Sequence, residues 1–244
     1  MKRRTFVKSS ALTTLAVSLL PKITFAALSE TITDEELLGK AHLNFRNENL
    51  KLRNEAYECF NLMKEEALVS NIKIEGVSAF RSYEDQKRIW NRKFLAYTKD
   101  GLLPMDAIHK IVEYSTMPGT SRHHWGTDID LIDGAVNQPK NVLSPQHFKN
   151  NGPFVKFKQW MENNSERFGF YLVYTNLESR KGFKYEPWHY SYKPLSDSYL
   201  KHYRERDIFQ LAKSSDIEGV SHLSDDFLSQ YYQENILDIN PELL

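Results

Sequence analysis

The chain has 244 residues, 13% of them aromatic, and 32 basic residues balance 32 acidic ones. That length suits one domain with a sizeable core, and the charge balance argues against a nucleic-acid binder, which would carry a basic stripe. One cysteine, Cys59, excludes an internal disulfide in the monomer and is expected to be buried and inert.

Lys2-Arg3-Arg4-Thr5-Phe6-Val7-Lys8 has the pattern of a twin-arginine signal, followed by an apolar run at 11–20 and small residues up to Ala26. The run is too short for the roughly 20 residues of a membrane span. Residues 1–26 are therefore expected to be a cleaved signal peptide read by the twin-arginine export machinery, and 27–244 the mature domain. The expected location is periplasmic or otherwise extracytoplasmic, with no stable membrane span after processing. Without Lys2, Arg3, Arg4, Lys8 and Lys22 the mature chain has 27 basic against 32 acidic residues, a net charge of −5.

Thr33 and Glu36 form a capping box that predicts a helix start. A second helix is predicted over 50–69, with Leu52, Ala56, Cys59, Phe60 and Met63 on one face. Alternation predicts a strand over 72–80, and Ser82 with Asp85 caps a helix carrying Ile89, Trp90 and Phe94. Pro104 opens another helix, reaching about Tyr114. Residues 116–125 read as a loop and 128–131 as a strand. Residues 154–168 are amphipathic and helical, stopped by Gly169. Two aromatic-rich strands are predicted at 170–174 and 185–192, joined by a charged turn with Gly182. Helices follow over 196–209 and 224–237, with Phe227, Leu228, Tyr231 and Tyr232 read as core. Segregated strands and helices predict an α+β fold: a mainly antiparallel sheet flanked by helices.

Two motifs carry the chemistry. Ser121-Arg122-His123-His124-Trp125-Gly126-Thr127-Asp128-Ile129-Asp130 and Glu186-Pro187-Trp188-His189 together offer two histidines and an aspartate as metal ligands. Three protein ligands leave one position of a tetrahedral Zn2+ open, the mark of a catalytic rather than a structural site. Alternation puts Asp128 and Asp130 on one face of a strand, with Ile129 turned to the core. Glu186 and His189, three apart, would face opposite sides of an extended strand, so the chain must bend near Pro187 or the groups must meet at its edge. His124 is expected to pack in the wall. His42, His109, His147, His202 and His222 have no matching partners.

The pattern Ser121-x-His123-x-x-Gly126-x-x-x-Asp130 with Glu186-x-Trp188-His189 resembles the VanY-type D-alanyl-D-alanine carboxypeptidases. These are zinc peptidases related to lysostaphin-type endopeptidases and the hedgehog domain. The stretch from Ser78 to Gln86 is similar to that family's substrate-binding segment, so the resemblance covers about 77–192, with peripheral helices at both ends. It implies that His123, Asp130 and His189 bind zinc at the sheet edge, and that Glu186 is the catalytic base and then the acid. It also implies that Arg81 holds the substrate's terminal carboxylate, and that Ser121 and Gln86 line the substrate site. Asp128 departs from the family, where a small apolar residue is common. It is expected to support a ligand from behind; the alternative is competition for the metal. The implied substrate is a peptidoglycan stem peptide losing its terminal D-alanine. An L,D-carboxypeptidase or a peptidoglycan endopeptidase is the alternative within the fold, and a non-catalytic cell-wall binding module the alternative outside it.

Overall fold

The computed structural model describes residues 32–244, apart from 208–209, 211–212 and 214. The signal expected at 1–26 lies outside the described residues, as does the end of the helix expected to reach 209. No described helix is long and apolar enough to cross a membrane.

Both capping boxes form. Thr33 caps a single turn, α1 (Asp34–Leu37), and Ser82 caps α3 (Tyr83–Lys99). Between them run α2 (Asn54–Val69) and β1 (Ile74–Ser78). On α2 the stripe that turns inward is Ala56, Phe60, Met63 and Ala67. Cys59 sits at the flank of that stripe and is only half-buried, a correction to the expectation, with its Sγ 3.3 Å from the Tyr192 hydroxyl. After α3 come α4 (Pro104–Ile111), the site loop, and β2 (Asp128–Asp133). α5 (Val155–Asn164) runs into a 3-10 turn at Ser165–Phe168, ended by Gly169. β3 (Phe170–Leu172), β4 (His189–Tyr192), α6 (Lys193–Arg204) and α7 (Asp225–Tyr231) complete the main elements.

All strand pairs are antiparallel, and the sheet order is β1-β2-β4-β3. Alternation along β2 and β4 divides the sheet into two unlike faces. Ile129, Leu131, Tyr190 and Tyr192 turn to one side and join α2 and α5 in a core with Phe60, Met63, Phe157 and Met161. Asp128, Asp130, His189 and Ser191 turn to the other. Beyond that polar face a separate core gathers Trp90 and Phe94 of α3, Ile108 of α4, Tyr203 of α6, and Leu228 and Tyr231 of α7. A polar layer thus lies between two apolar ones, which is where buried charge demands internal partners.

Candidate active site

Strand register builds the site. Asp130 and His189 stand directly opposite each other on β2 and β4, and Asp128 stands opposite Ser191. These are the two inner strands of the sheet, so the expected position at the sheet edge is corrected. The bend before β4 is a tight turn, in which the His189 N–H donates to the Glu186 carbonyl at 3.1 Å. That turn brings Glu186 Oε2 to 3.0 Å from His189 Nδ1, although the two residues are three apart. His123 comes from a 3-10 turn, Arg122–Trp125, that ends at Gly126 with φ 70°. A non-glycine residue rarely adopts that backbone. The chain then reverses into β2 and His123 lies over Asp130.

His123, Asp130 and His189 are buried, and one ligand atom of each lies within 4.8 Å of the others. The partners settle which ring nitrogen is available. His123 Nδ1 sits 2.8 Å from the Ala79 carbonyl, which can only accept, so Nδ1 carries the hydrogen. Its Nε2, 3.6 Å from Asp130 Oδ2, keeps the lone pair. Burial, with the Arg81 charge, holds His123 well below its ordinary range and therefore neutral. His189 Nε2 faces Asp128 Oδ2 at 3.0 Å, which leaves Nδ1 facing Asp130 and Glu186.

Asp128 is saturated. It accepts from Arg122 Nε at 2.9 Å, Thr127 Oγ1 at 2.9 Å and Ser191 Oγ at 2.6 Å, besides His189. Burial works against its charge, but Arg122 and His189 hold the carboxyl well below the usual range. Asp128 therefore supports His189 from behind. A carboxylate on the far nitrogen of a metal-ligating histidine fixes its tautomer and raises its basicity.

Asp130 is the opposite case. Its Oδ1 is buried without a hydrogen-bond partner, and burial, with the negative Glu186 nearby, pushes the carboxyl up to about 7. Burial lowers His189, yet its bonds to Asp128 and Glu186 and the charge of Asp130 outweigh that and raise it to about 10. Both shifts mark a place short of positive charge. An orphaned carboxylate oxygen, a neutral imidazole and an imidazole nitrogen aimed at one point are the donor set of a divalent metal, so the residues fit one.

These groups open onto a cavity of about 450 Å³, whose wall includes Arg81, Ser121, Tyr174 and Phe183. Arg81 is aimed by Gln86 Oε1 at 2.8 Å and Ser78 Oγ at 3.1 Å, and its backbone N–H donates to the His123 carbonyl. Gln86 is fully buried and its Nε2 donates to the Thr116 carbonyl at 2.7 Å. It stands behind Arg81 rather than on the cavity wall, a correction to its expected place. His124 is a neutral bolt in the wall. It donates from Nδ1 to the Arg81 carbonyl at 2.6 Å and accepts the Gly119 N–H at 3.0 Å, and burial brings it down to about 4. Neither Arg122 nor Ser191 is singled out by the motifs, although the two-residue alternation of a strand puts Ser191 on the same face as His189. A second cavity of about 420 Å³ lies beyond Phe183, between 175–185 and the C-terminal helices.

Residues 49–195 match the family model of VanY, D-alanyl-D-alanine carboxypeptidase. An uncharacterised protein of Haemophilus influenzae is 33% identical over 118 residues, which cover 46% of this chain and 88% of that one. The bifunctional D-Ala-D-Ala dipeptidase and D-Ala-D-Ala carboxypeptidase VanXYC of Enterococcus gallinarum is 31% identical over 127 residues, 50% of this chain. The match spans 57% of that relative's length. Among solved structures, a mutant of the vancomycin resistance D,D-pentapeptidase VanY from a VanB-type cassette, in complex with Zn(II), superposes with a TM-score of 0.51. It is 20% identical, and the match covers 68% of this chain and 85% of that one, a likeness of fold. With its family match running from before α2 through β4, the chain belongs to the VanY family of D-alanyl-D-alanine carboxypeptidases, a family of peptidases.

Proposed function

We propose that the protein is a zinc-dependent D-alanyl-D-alanine carboxypeptidase that hydrolyses the terminal peptide bond of peptidoglycan stem peptides. One observation carries the reading: two histidines and a carboxylate with one oxygen free of hydrogen bonds converge beside Glu186 on a cavity that Arg81 also lines. The choice of zinc is supported by the Zn(II) complex of the VanY structure, and the substrate by the family and by VanXYC. When bound by His123, Asp130 and His189, zinc supplies Lewis acidity, which makes water nucleophilic near neutral pH. Glu186 takes the proton of the attacking water and passes it to the leaving amine. Arg81 holds the terminal carboxylate, because its planar fork matches two carboxylate oxygens. Gln86 and Ser78 keep that fork from swinging, and Ser121 offers its hydroxyl on the same wall. The twin-arginine pattern at 2–8 supports action outside the cytoplasm.

The test is incubation of the zinc-loaded protein with muropeptides, products read by mass spectrometry, beside Glu186→Ala. Loss of one terminal D-alanine, abolished in a variant that still holds zinc, is the expected result. Cleavage of cross-links would make it an endopeptidase, and no cleavage by metal-replete protein would leave a binding module.

A further inference from the structure

The cavity has more positive charge than a single terminal carboxylate needs. Arg81, Arg92 and Lys93 all line it, against Asp130 and Glu186. A divalent metal at the triad matches the charge of those two carboxylates, which leaves three cations facing the substrate. No carboxylate among the described residues forms an ion pair with any of the three. Arg81 is committed to Gln86 and Ser78, and the ammonium of Lys93 donates to Ser115 Oγ at 2.6 Å.

Lys93 is placed with care. Helical spacing sets Ile89, Arg92 and Lys93 on the flank of α3 that faces the cavity, one and two turns on from Gln86. Lys93 is half-buried, and Ser115 accepts from it across the cleft. Thr116, beside Ser115 on the same wall, has a buried hydroxyl with no partner. Burial, with the charges of Arg92 and Arg81 and against the pull of the Glu186 carboxylate, draws the Lys93 ammonium below its ordinary range. Glu186 lies on the same cavity but makes no ion pair with Lys93, and a half-buried cation without a paired carboxylate is costly unless a ligand brings one.

We infer that Lys93, with Arg92 at the rim, binds a second carboxylate of the substrate, so that the enzyme selects peptides bearing an acidic group in addition to their C-terminus. This inference rests on the proposed peptidase reading and deepens it, since it names a substrate class. Lys93 is a specificity-determining residue, and Ser115 positions it.

The experiment compares matched acyl-X-D-Ala-D-Ala peptides in which X carries a free carboxylate or its carboxamide, with the pair repeated one residue further upstream. Wild type, Lys93→Met and Lys93→Arg are assayed for kcat/KM and, on zinc-loaded protein, for peptide affinity by calorimetry. The wild type is expected to favour the carboxylate form about 10-fold at one of the two positions, the size of a partly desolvated charge pair. Lys93→Met should collapse that ratio to about 2 or less, and Lys93→Arg should restore most of it. A wild type without preference, or a Lys93→Met variant that loses both forms in equal proportion, overturns the assignment. Such equal loss would mean that Lys93 acts on Glu186 instead. If no peptide is hydrolysed but the carboxylate form still binds more tightly in a Lys93-dependent way, the inference stands and the peptidase reading falls.

Discussion

Two aspartates separated by one residue do opposite jobs here, and their hydrogen bonds tell them apart. Asp128 has four donors, whereas one oxygen of Asp130 has none. Asp128→Asn keeps the shape and removes the charge behind His189. It should weaken zinc binding about 10- to 100-fold by chelator competition. It should also lower the melting temperature, because Arg122 is left buried without its counter-charge. A variant that binds zinc like the wild type would refute the supporting role. His189 carries a second prediction. Its pKa near 10 means that the metal-free protein holds a proton on the nitrogen the metal needs. Zinc binding at pH 7 should therefore release at least about one proton, read by calorimetry in buffers of different ionisation heat. Because the folded value exceeds the ordinary 6.5, this group stabilises the metal-free fold fully below pH 6.5 and loses that contribution as pH rises through about 10. Thermal melts without metal should fall over that window, and melts with zinc should not follow them.

At the scale of elements, two glycines hold the site's walls. Gly126 reverses the chain between His123 and β2 at φ 70°, so Gly126→Ala should cost about 1–3 kcal/mol. Gly182 is set by space rather than angle: a Cβ there would lie 1.6 Å from the Glu234 carbonyl oxygen. Backbone cannot swing aside as a side chain does. Gly182→Ala should push the 175–185 wall off the C-terminal segment, at a cost of at least about 2 kcal/mol in denaturant melts. The elements that were legible in the sequence are those with local signals. Ser82 and Asp85 announce α3, Gly169 stops the helical stretch before it, and alternation gives β2. Strand lengths were less legible. The predicted strand over 185–192 is a strand only from His189, because the turn at Pro187 and Trp188 spends the first half on aiming Glu186. The approach of His123 to Asp130 could be read from the first motif, whereas the arrival of His189 beside them was implied only by the family resemblance. The place of Gln86 could not, since it depends on a contact with Thr116, 30 residues away.

At the scale of the molecule, the family match stops at residue 195, yet the structure does not. Tyr231 of α7 accepts the Met117 N–H at 3.1 Å and shares a 2.8 Å hydrogen bond with Thr120, and Tyr203 of α6 donates to the Gly119 carbonyl at 3.2 Å. These tyrosines brace the loop that delivers Ser121 and His123. They also belong to the core on the site side of the sheet, with Phe227 and Leu228. A chain cut after residue 195 should therefore lose its cooperative melt and its zinc affinity together. A truncated protein that melts sharply and loads zinc would show that the C-terminal helices are dispensable.

The polar layer between the two cores has a consequence for how the molecule comes apart. Apolar packing couples neighbours strongly, but here it is interrupted by a sheet face of charges and hydrogen bonds. Backbone amides on the α2 and α5 side should exchange with deuterium as one cooperative group, and those of α3, α4 and α7 as another. A divalent metal held by His123, Asp130 and His189 would join β2, β4 and the 3-10 turn, and its addition should slow the second group more than the first. The metal would then be a rivet between two halves as well as a reagent.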